Sequence, residues 1–87
     1  MGFNEKCNEL GYSVRDWNEK KVSIQKSLEK SKIIIIFDIN CKKILGYVQQ
    51  TDLIMDIGDM SNIYKAFNIM KSDLKVFAEM SEYDIIK

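Results

Sequence analysis

The chain has no histidine and no proline, and its one arginine is Arg15. Without histidine, zinc sites that combine cysteine with histidine are excluded, and a serine or cysteine nucleophile lacks its usual general base. Cys7 and Cys41 lie far apart in the sequence and form no Cys-x-x-Cys motif. We therefore predict two reduced thiols, no metal or other cofactor, and no catalytic residues.

Long apolar runs are absent as well. The longest unbroken one extends from Ile33 to Phe37, which is far shorter than the roughly 20 residues that a membrane-spanning helix needs. The N-terminal residues also lack the apolar region of a signal peptide. We expect a protein of the cytoplasm that does not insert into membranes.

No excess of one charge exists either, because 13 basic and 13 acidic residues cancel. Lysine supplies almost all of the positive charge, and it lacks the planar fork with which arginine binds phosphate or guanine. Direct nucleic-acid binding is therefore not favoured. The alternative is a nucleic-acid-binding regulator whose N-terminal helix presents lysines, but glutamates interrupt this set: Lys20, Lys21, Lys26, Lys30 and Lys32.

What the chain does have is a run of β-branched residues, which predicts strands over residues 32–39 and 44–50. The short connection between them makes the pair antiparallel. Asp38 stands where its carboxylate can accept hydrogen bonds from the backbone amides of the turn. Since residues 33–36 are apolar on both faces, we expect this strand to be central in the sheet or to lie at a subunit interface, which allows a homodimer through the sheet.

The N-terminal third has two helix signals. Residues 3–10 suit a short helix that ends at Gly11. After it, Ser13 and Asp16 have the spacing of a capping box, and Tyr12 and Trp17 that of a hydrophobic staple. These signals predict a second helix over residues 14–30.

Two further elements complete the predicted fold. Apolar residues at helical spacing predict a helix over residues 59–72, and alternation around Val76 and Met80 predicts a strand over residues 75–82. The expected fold class is α+β, in one domain over residues 1–87 with the order α-β-β-α-β. A three-stranded antiparallel sheet would have helical cover, from a helical region over residues 1–31 and from the helix over residues 59–72.

Acidic residues concentrate in the C-terminal half, where residues 44–87 hold seven acidic and four basic residues. Their spacing does not fit a calcium loop, and solvated loop carboxylates are the ordinary alternative to a binding site. An acidic surface with an aromatic anchor would nevertheless suit a basic partner protein. The candidate partner-binding residues are Asp52, Asp56, Asp59, Glu79, Glu82, Asp84, Trp17 and Tyr12; core packing is the alternative for the two aromatic residues.

Composition suggests an origin, because 12 lysines and 13 isoleucines stand against one arginine and two alanines. That bias is typical of an AT-rich genome, and small domains of this kind are common among accessory proteins of phages and mobile elements. By analogy, we expect a non-enzymatic protein-binding module in a bacterial host cell. The most concrete hypothesis is an anti-CRISPR-like inhibitor that occupies the basic groove of a defence nuclease or another nucleic-acid-handling enzyme.

Overall fold

In the part of the chain that the structure describes, two helices flank four consecutive antiparallel strands, which pair in their order along the chain. The structure is a computed structural model that describes residues 2–41 and 43–80. It shows a small α+β domain, as predicted, but with four strands rather than three and with the order α-β-β-β-β-α. The elements are α1 (Phe3–Leu10), β1 (Ser13–Trp17), β2 (Lys21–Leu28), β3 (Ser31–Asp38), β4 (Lys43–Gln50) and α2 (Ile57–Ala78).

Helix α1 ends where the sequence predicts. Gly11 adopts a left-handed conformation with φ of 87°, which glycine reaches without the steric cost of a Cβ atom. The N–H groups of Gly11 and Tyr12 donate to the carbonyls of Asn8 and Cys7, at 3.2 and 2.7 Å. These bonds satisfy the last carbonyls of the helix and turn the chain into the sheet.

The predicted helix over residues 14–30 is wrong, because this segment forms the β1–β2 hairpin. Val22 and Ile24 are buried in the core, and Ser23 between them points to the other face, which is the period of a strand. The Asn18 side chain accepts from the N–H groups of Lys20 and Lys21 and so forms the turn. Ser13 begins β1 and caps no helix, which means that the capping box and the staple are both absent.

The predicted hairpin over residues 32–50 is confirmed as β3 and β4, which pair in continuous register from Ser31↔Gln50 to Asp38↔Lys43. Asp38 accepts from the N–H of Cys41 at 3.0 Å, in the predicted turn role. Strand β3 lies between β2 and β4 and is therefore central, as expected for its isoleucine run. Hairpin turns and β-branched runs are local signals, which is why the sequence identifies them.

Helix α2 is longer at both ends than the predicted helix over residues 59–72. Asp56 is the N-cap, and its side chain accepts from the N–H of Asp59 at 2.9 Å. The predicted strand over residues 75–82 is wrong for residues 75–78, which continue α2, while residues 81–82 lie outside the described residues. The helix continues because its inward row extends through Asp73 to Phe77.

Both helices pack on one face of the sheet, and the core lies between them and β2 and β3. Gly46 allows the close approach of α2 to β4, because a Cβ atom there would lie 3.0 Å from Leu74 Cδ1 and 3.1 Å from Met70 Cγ. The core residues are Phe3, Cys7, Tyr12, Val22, Ile24, Ile33, Ile35, Phe37, Met70 and Phe77. Aromatic pairs, mostly edge to face, join α1 and α2 to each other and to the sheet within this core and its rim.

Candidate functional site

Within residues 2–41 and 43–80, the largest group of exposed apolar side chains lies at the start of α2 and in the loop before it. Ile57 is 83% exposed, Tyr64 is 63% exposed and Phe67 is 40% exposed. Single exposed apolar residues are ordinary on a protein surface, but a group of this size is not. We call the following six residues the apolar surface: Leu53, Met55, Ile57, Met60, Tyr64 and Phe67.

The helical part of the apolar surface repeats every three or four residues, at Ile57, Met60, Tyr64 and Phe67. At about 100° per residue, this row lies roughly 130° around the helix from the inward row of Ala66, Met70, Asp73 and Phe77. The four side chains therefore form a continuous strip along the outside of α2. Spacing of three and four residues is also the spacing with which one helix packs against another.

Asp59 fixes the loop against the first turn of α2. Its Oδ2 atom accepts from the N–H of Met55 at 2.7 Å and from Lys30 Nζ at 3.2 Å. Lys30 Nζ also donates to the Leu53 carbonyl at 3.1 Å. These bonds hold the loop beside the β2–β3 turn, in which Lys30 itself has a positive φ of 62°. The exposed side chains of Leu53 and Met55 are thus carried by an ordered backbone.

The same contacts set the protonation of Asp59. The hydrogen bond from the Met55 N–H lowers the pKa of this carboxyl most, and the Lys30 ammonium lowers the pKa further, against the opposing effect of partial burial. Asp59 is therefore a charged group that already has its partners. It anchors the apolar surface instead of projecting from it.

The predicted acidic residues Asp52, Asp56 and Asp59 lie in the loop before α2 and in its first turn, and two of them have structural roles. Asp56 caps α2 and Asp59 forms the ion pair, whereas Asp52 accepts from the N–H of Leu53 and is exposed. Glu79 follows α2 at its other end and is exposed. The remaining two predicted residues, Glu82 and Asp84, lie outside the described residues.

The two predicted aromatic anchors, Tyr12 and Trp17, differ in how deeply they are buried. Tyr12 is in the core, where its hydroxyl donates to Asp73 Oδ2 at 2.6 Å. Burial, and then the hydrogen bond and negative charge of Asp73, raise the pKa of Tyr12. Trp17 is 40% exposed on β1 and packs edge to face on Phe3, with ring centroids 5.7 Å apart. Tyr12 is thus a core residue, and Trp17 lies at the rim of the core.

The thiols differ in the same way. Cys7 is free and buried, and burial raises the pKa of its thiol to about 11. Cys41 is free and exposed in the β3–β4 turn. Among residues 2–41 and 43–80, no three cysteine, aspartate or glutamate side chains are grouped closely enough to hold a metal ion.

A second, smaller apolar group lies on the sheet face opposite the helices. Ile34 pairs with Tyr47 and Ile36 pairs with Leu45 across β3 and β4. Leu45 is 62% exposed, whereas Ile34 is completely buried. Tyr47 is also 39% exposed. Among the described residues, this face thus has two exposed apolar side chains, whereas the apolar surface has six and is the larger of the two.

Comparisons with protein-family models, with curated proteins and with solved structures found no match. Neither helix in the described part of the chain is long and apolar enough to cross a membrane.

Sequence reasoning missed the apolar surface, although one signal for it was present. The apolar residues at helical spacing that predict the helix over residues 59–72 include Met60, Phe67 and Met70, and of these three only Met70 is buried. Periodicity shows which residues share a face but not whether another element covers that face. The exposed residues Ile57 and Tyr64 could have been found from their own helical spacing, which continues that of Met60 and Phe67.

Proposed function

We propose that this protein is a non-enzymatic protein-binding module and that the apolar surface is its docking site. The observation that supports the proposal is the exposure of six large apolar side chains between positions 53 and 67. Their exposed fractions average roughly 60%, which for side chains of about 200 Å² corresponds to an area on the order of 700 Å². Apolar patches of more than a few hundred Å² on a small domain mark interaction sites.

The finer proposal is that the partner is a nucleic-acid-handling enzyme of a bacterial cell, which this protein inhibits in the manner of an anti-CRISPR protein. Composition supports this proposal, as described above. Asp52 is the loop carboxylate best placed to complement a basic groove, since it is exposed and, within the described ranges, bonds only the adjacent Leu53 N–H, whereas Asp56 caps α2 and Asp59 pairs with Lys30. Docking should therefore depend mainly on apolar contact, and charge should act mainly on the association rate.

Capture from a bacterial lysate by the immobilised protein, followed by mass spectrometry, tests the docking site. We expect the Ile57→Ser/Phe67→Ser variant to lose a protein that the native chain retains, because both side chains are exposed and both belong to the apolar surface. Leu45→Ser is the control, since Leu45 is an apolar residue on the opposite face of the sheet whose exposure, 62%, lies between those of Phe67 and Ile57. Equal capture by all three proteins would remove the apolar surface as the docking site.

The captured protein then tests the finer proposal. An enzyme that acts on nucleic acid should lose activity as this protein is added in equimolar amount. Asp52→Asn should slow association at low salt and have little effect at high salt. A captured protein that does not act on nucleic acid would contradict the inhibitor proposal and leave the binding module in place.

A further inference from the structure

The strip on α2 has the form of one half of a helix pair. Ile57, Met60, Tyr64 and Phe67 follow the alternating spacing of three and four residues that fits the grooves of another helix at a crossing angle near 20°. An extended peptide would instead need pockets at every second residue. The occupant that suits this surface is therefore helical.

Charges along the same side of α2 favour one orientation of that helix. Beyond Phe67 the strip continues with two exposed basic residues, Lys71 and Lys75, while the loop before the helix contains the acidic residues Asp52 and Asp56. One end of the strip is thus basic and the other acidic. A complementary helix would have its acidic end beside the basic end of the strip and its basic end beside the acidic loop. A second α2 helix in antiparallel orientation has this order of charges.

A second copy of the chain meets these requirements. When two α2 helices are placed antiparallel about the middle of the strip, the apolar residues of one face those of the other. Lys71 of each copy then lies beside the acidic loop of its partner, and the two helix dipoles oppose each other favourably. A parallel pair would instead place Lys71 against Lys71.

The area corresponds to a weak dimer. The four residues of the strip expose on the order of 450 Å² in each copy, as estimated from large side chains of about 200 Å². Burial of both strips would remove about 900 Å² from water, which is below the roughly 1,200 Å² of stable interfaces and in the range of transient ones. The residues that border the strip on its outer side, Ser61 and Asn68, are uncharged, so no like charges oppose close approach at the centre.

We propose that this protein forms a homodimer in which two α2 helices pack antiparallel through Ile57, Met60, Tyr64 and Phe67. This inference rests on the proposed function in that it assigns an occupant to the same apolar surface. Because the two occupants use the same side chains, the partner protein would dock on the monomer in competition with the dimer. The proposed dimer differs from the sequence-based expectation, which placed a homodimer interface in the sheet.

Light scattering over a range of protein concentrations tests the dimer. We expect a dimer that Tyr64→Glu weakens at least about 30-fold, which is the loss expected for a central interface residue. Tyr64 is exposed, so circular dichroism should show a native fold in this variant. Met60→Lys provides a second variant in the same strip, and Leu45→Glu is the matched control on the sheet.

Two results would overturn the dimer through α2. One is a monomer at every concentration up to about 1 mM, the weak limit of specific association. The other is a dimer that Leu45→Glu dissociates and Tyr64→Glu does not, which would place the interface in the sheet.

A charge exchange tests the orientation. Lys71→Glu and Asp52→Lys should each weaken the dimer, because each places like charges together across the antiparallel interface. The double variant should recover most of the native affinity. Failure of the double variant to recover would overturn the antiparallel arrangement.

The two proposals fail separately. A monomeric native protein whose partner capture is lost in Ile57→Ser/Phe67→Ser would contradict the dimer and retain the docking site. A dimer that Tyr64→Glu dissociates, with unchanged partner capture by all variants, would retain the dimer and contradict the docking site.

Discussion

The two halves of α2 use similar residues for opposite purposes. In the C-terminal half, Met70 and Phe77 are buried against the sheet and α1, whereas in the N-terminal half Met60 and Phe67 are each 40% exposed. A helix of 22 residues is about 33 Å long, and a strand of eight residues spans about 27 Å. The helix is therefore longer than the strands that it covers, and α1 adds cover only near the C-terminal half.

The polar contacts of the two halves differ in the same sense. Asp73 in the C-terminal half is buried and is bonded by the Tyr12 hydroxyl, while Asp59 in the N-terminal half holds Lys30 close to the surface. The Tyr12–Asp73 hydrogen bond holds the C-terminal half of α2 against the segment between α1 and β1. The Asp59–Lys30 contact fixes the loop that presents Leu53 and Met55. One half of the helix thus stabilises the fold, and the other half displays the apolar surface.

The largest difference between the halves in the free energy of unfolding should come from substitution of the two phenylalanines. Phe77→Ala should lower the free energy of unfolding by about 3 to 5 kcal/mol, because it leaves a cavity in the core. Phe67→Ala should lower it by about 1 kcal/mol or less, because Phe67 is partly solvated already. Urea denaturation followed by circular dichroism measures both, at a concentration where light scattering finds monomer. Equal losses would show that the halves do not differ in cover.

The next prediction concerns the two tyrosines. Tyr12→Phe should lower the free energy of unfolding by about 1.5 to 3 kcal/mol, because the buried carboxylate of Asp73 loses its hydrogen bond. Tyr64→Phe is the matched change in the exposed half and should alter the free energy of unfolding by no more than about 0.5 kcal/mol. The same denaturation experiment measures both variants. A negligible cost for Tyr12→Phe would mean that the Asp73 contact does not lock the helix.

A smaller effect is expected at the helix cap. Asp56→Ala should lower the free energy of unfolding by about 1 kcal/mol, since it removes the hydrogen bond from the Asp59 N–H at the start of α2. Ser13→Ala tests the alternative cap that the sequence suggests, and it should stay within about 0.5 kcal/mol because Ser13 is exposed on β1. The reverse order of costs, from thermal or urea unfolding, would contradict the β1–β2 hairpin.

The smallest expected effect is the pH dependence from Asp59. Its pKa lies below the usual 3.8 in the folded chain, so the contribution to stability is present above pH 3.8 and is lost as pH falls through the lowered value. Asp59→Asn should therefore lower the urea midpoint near neutral pH, and the difference from the native chain should shrink in acid. A difference that is constant with pH would indicate that shape, rather than charge, matters at this position.

Several elements were predictable from nearby residues alone. The β3–β4 hairpin, the turn role of Asp38 and the end of α1 at Gly11 each depend on residues within a few positions of one another. The helix predicted over residues 14–30 failed because the capping signal at Ser13 competed with strand alternation at Val22 and Ile24. Pairing of β2 with the central strand β3 decides that competition, and this pairing is a tertiary contact.

The sequence by itself determined the α+β class, the central isoleucine strand and the apolar spacing of α2. Tertiary structure alone decided that α2 continues to Ala78, that Tyr12 lies in the core, and that Ile57 and Tyr64 remain exposed. Turn chemistry and periodicity are properties of neighbouring residues, so they can be read along the chain. Burial depends on which distant element covers a face, and that is settled when the strands and helices pack together.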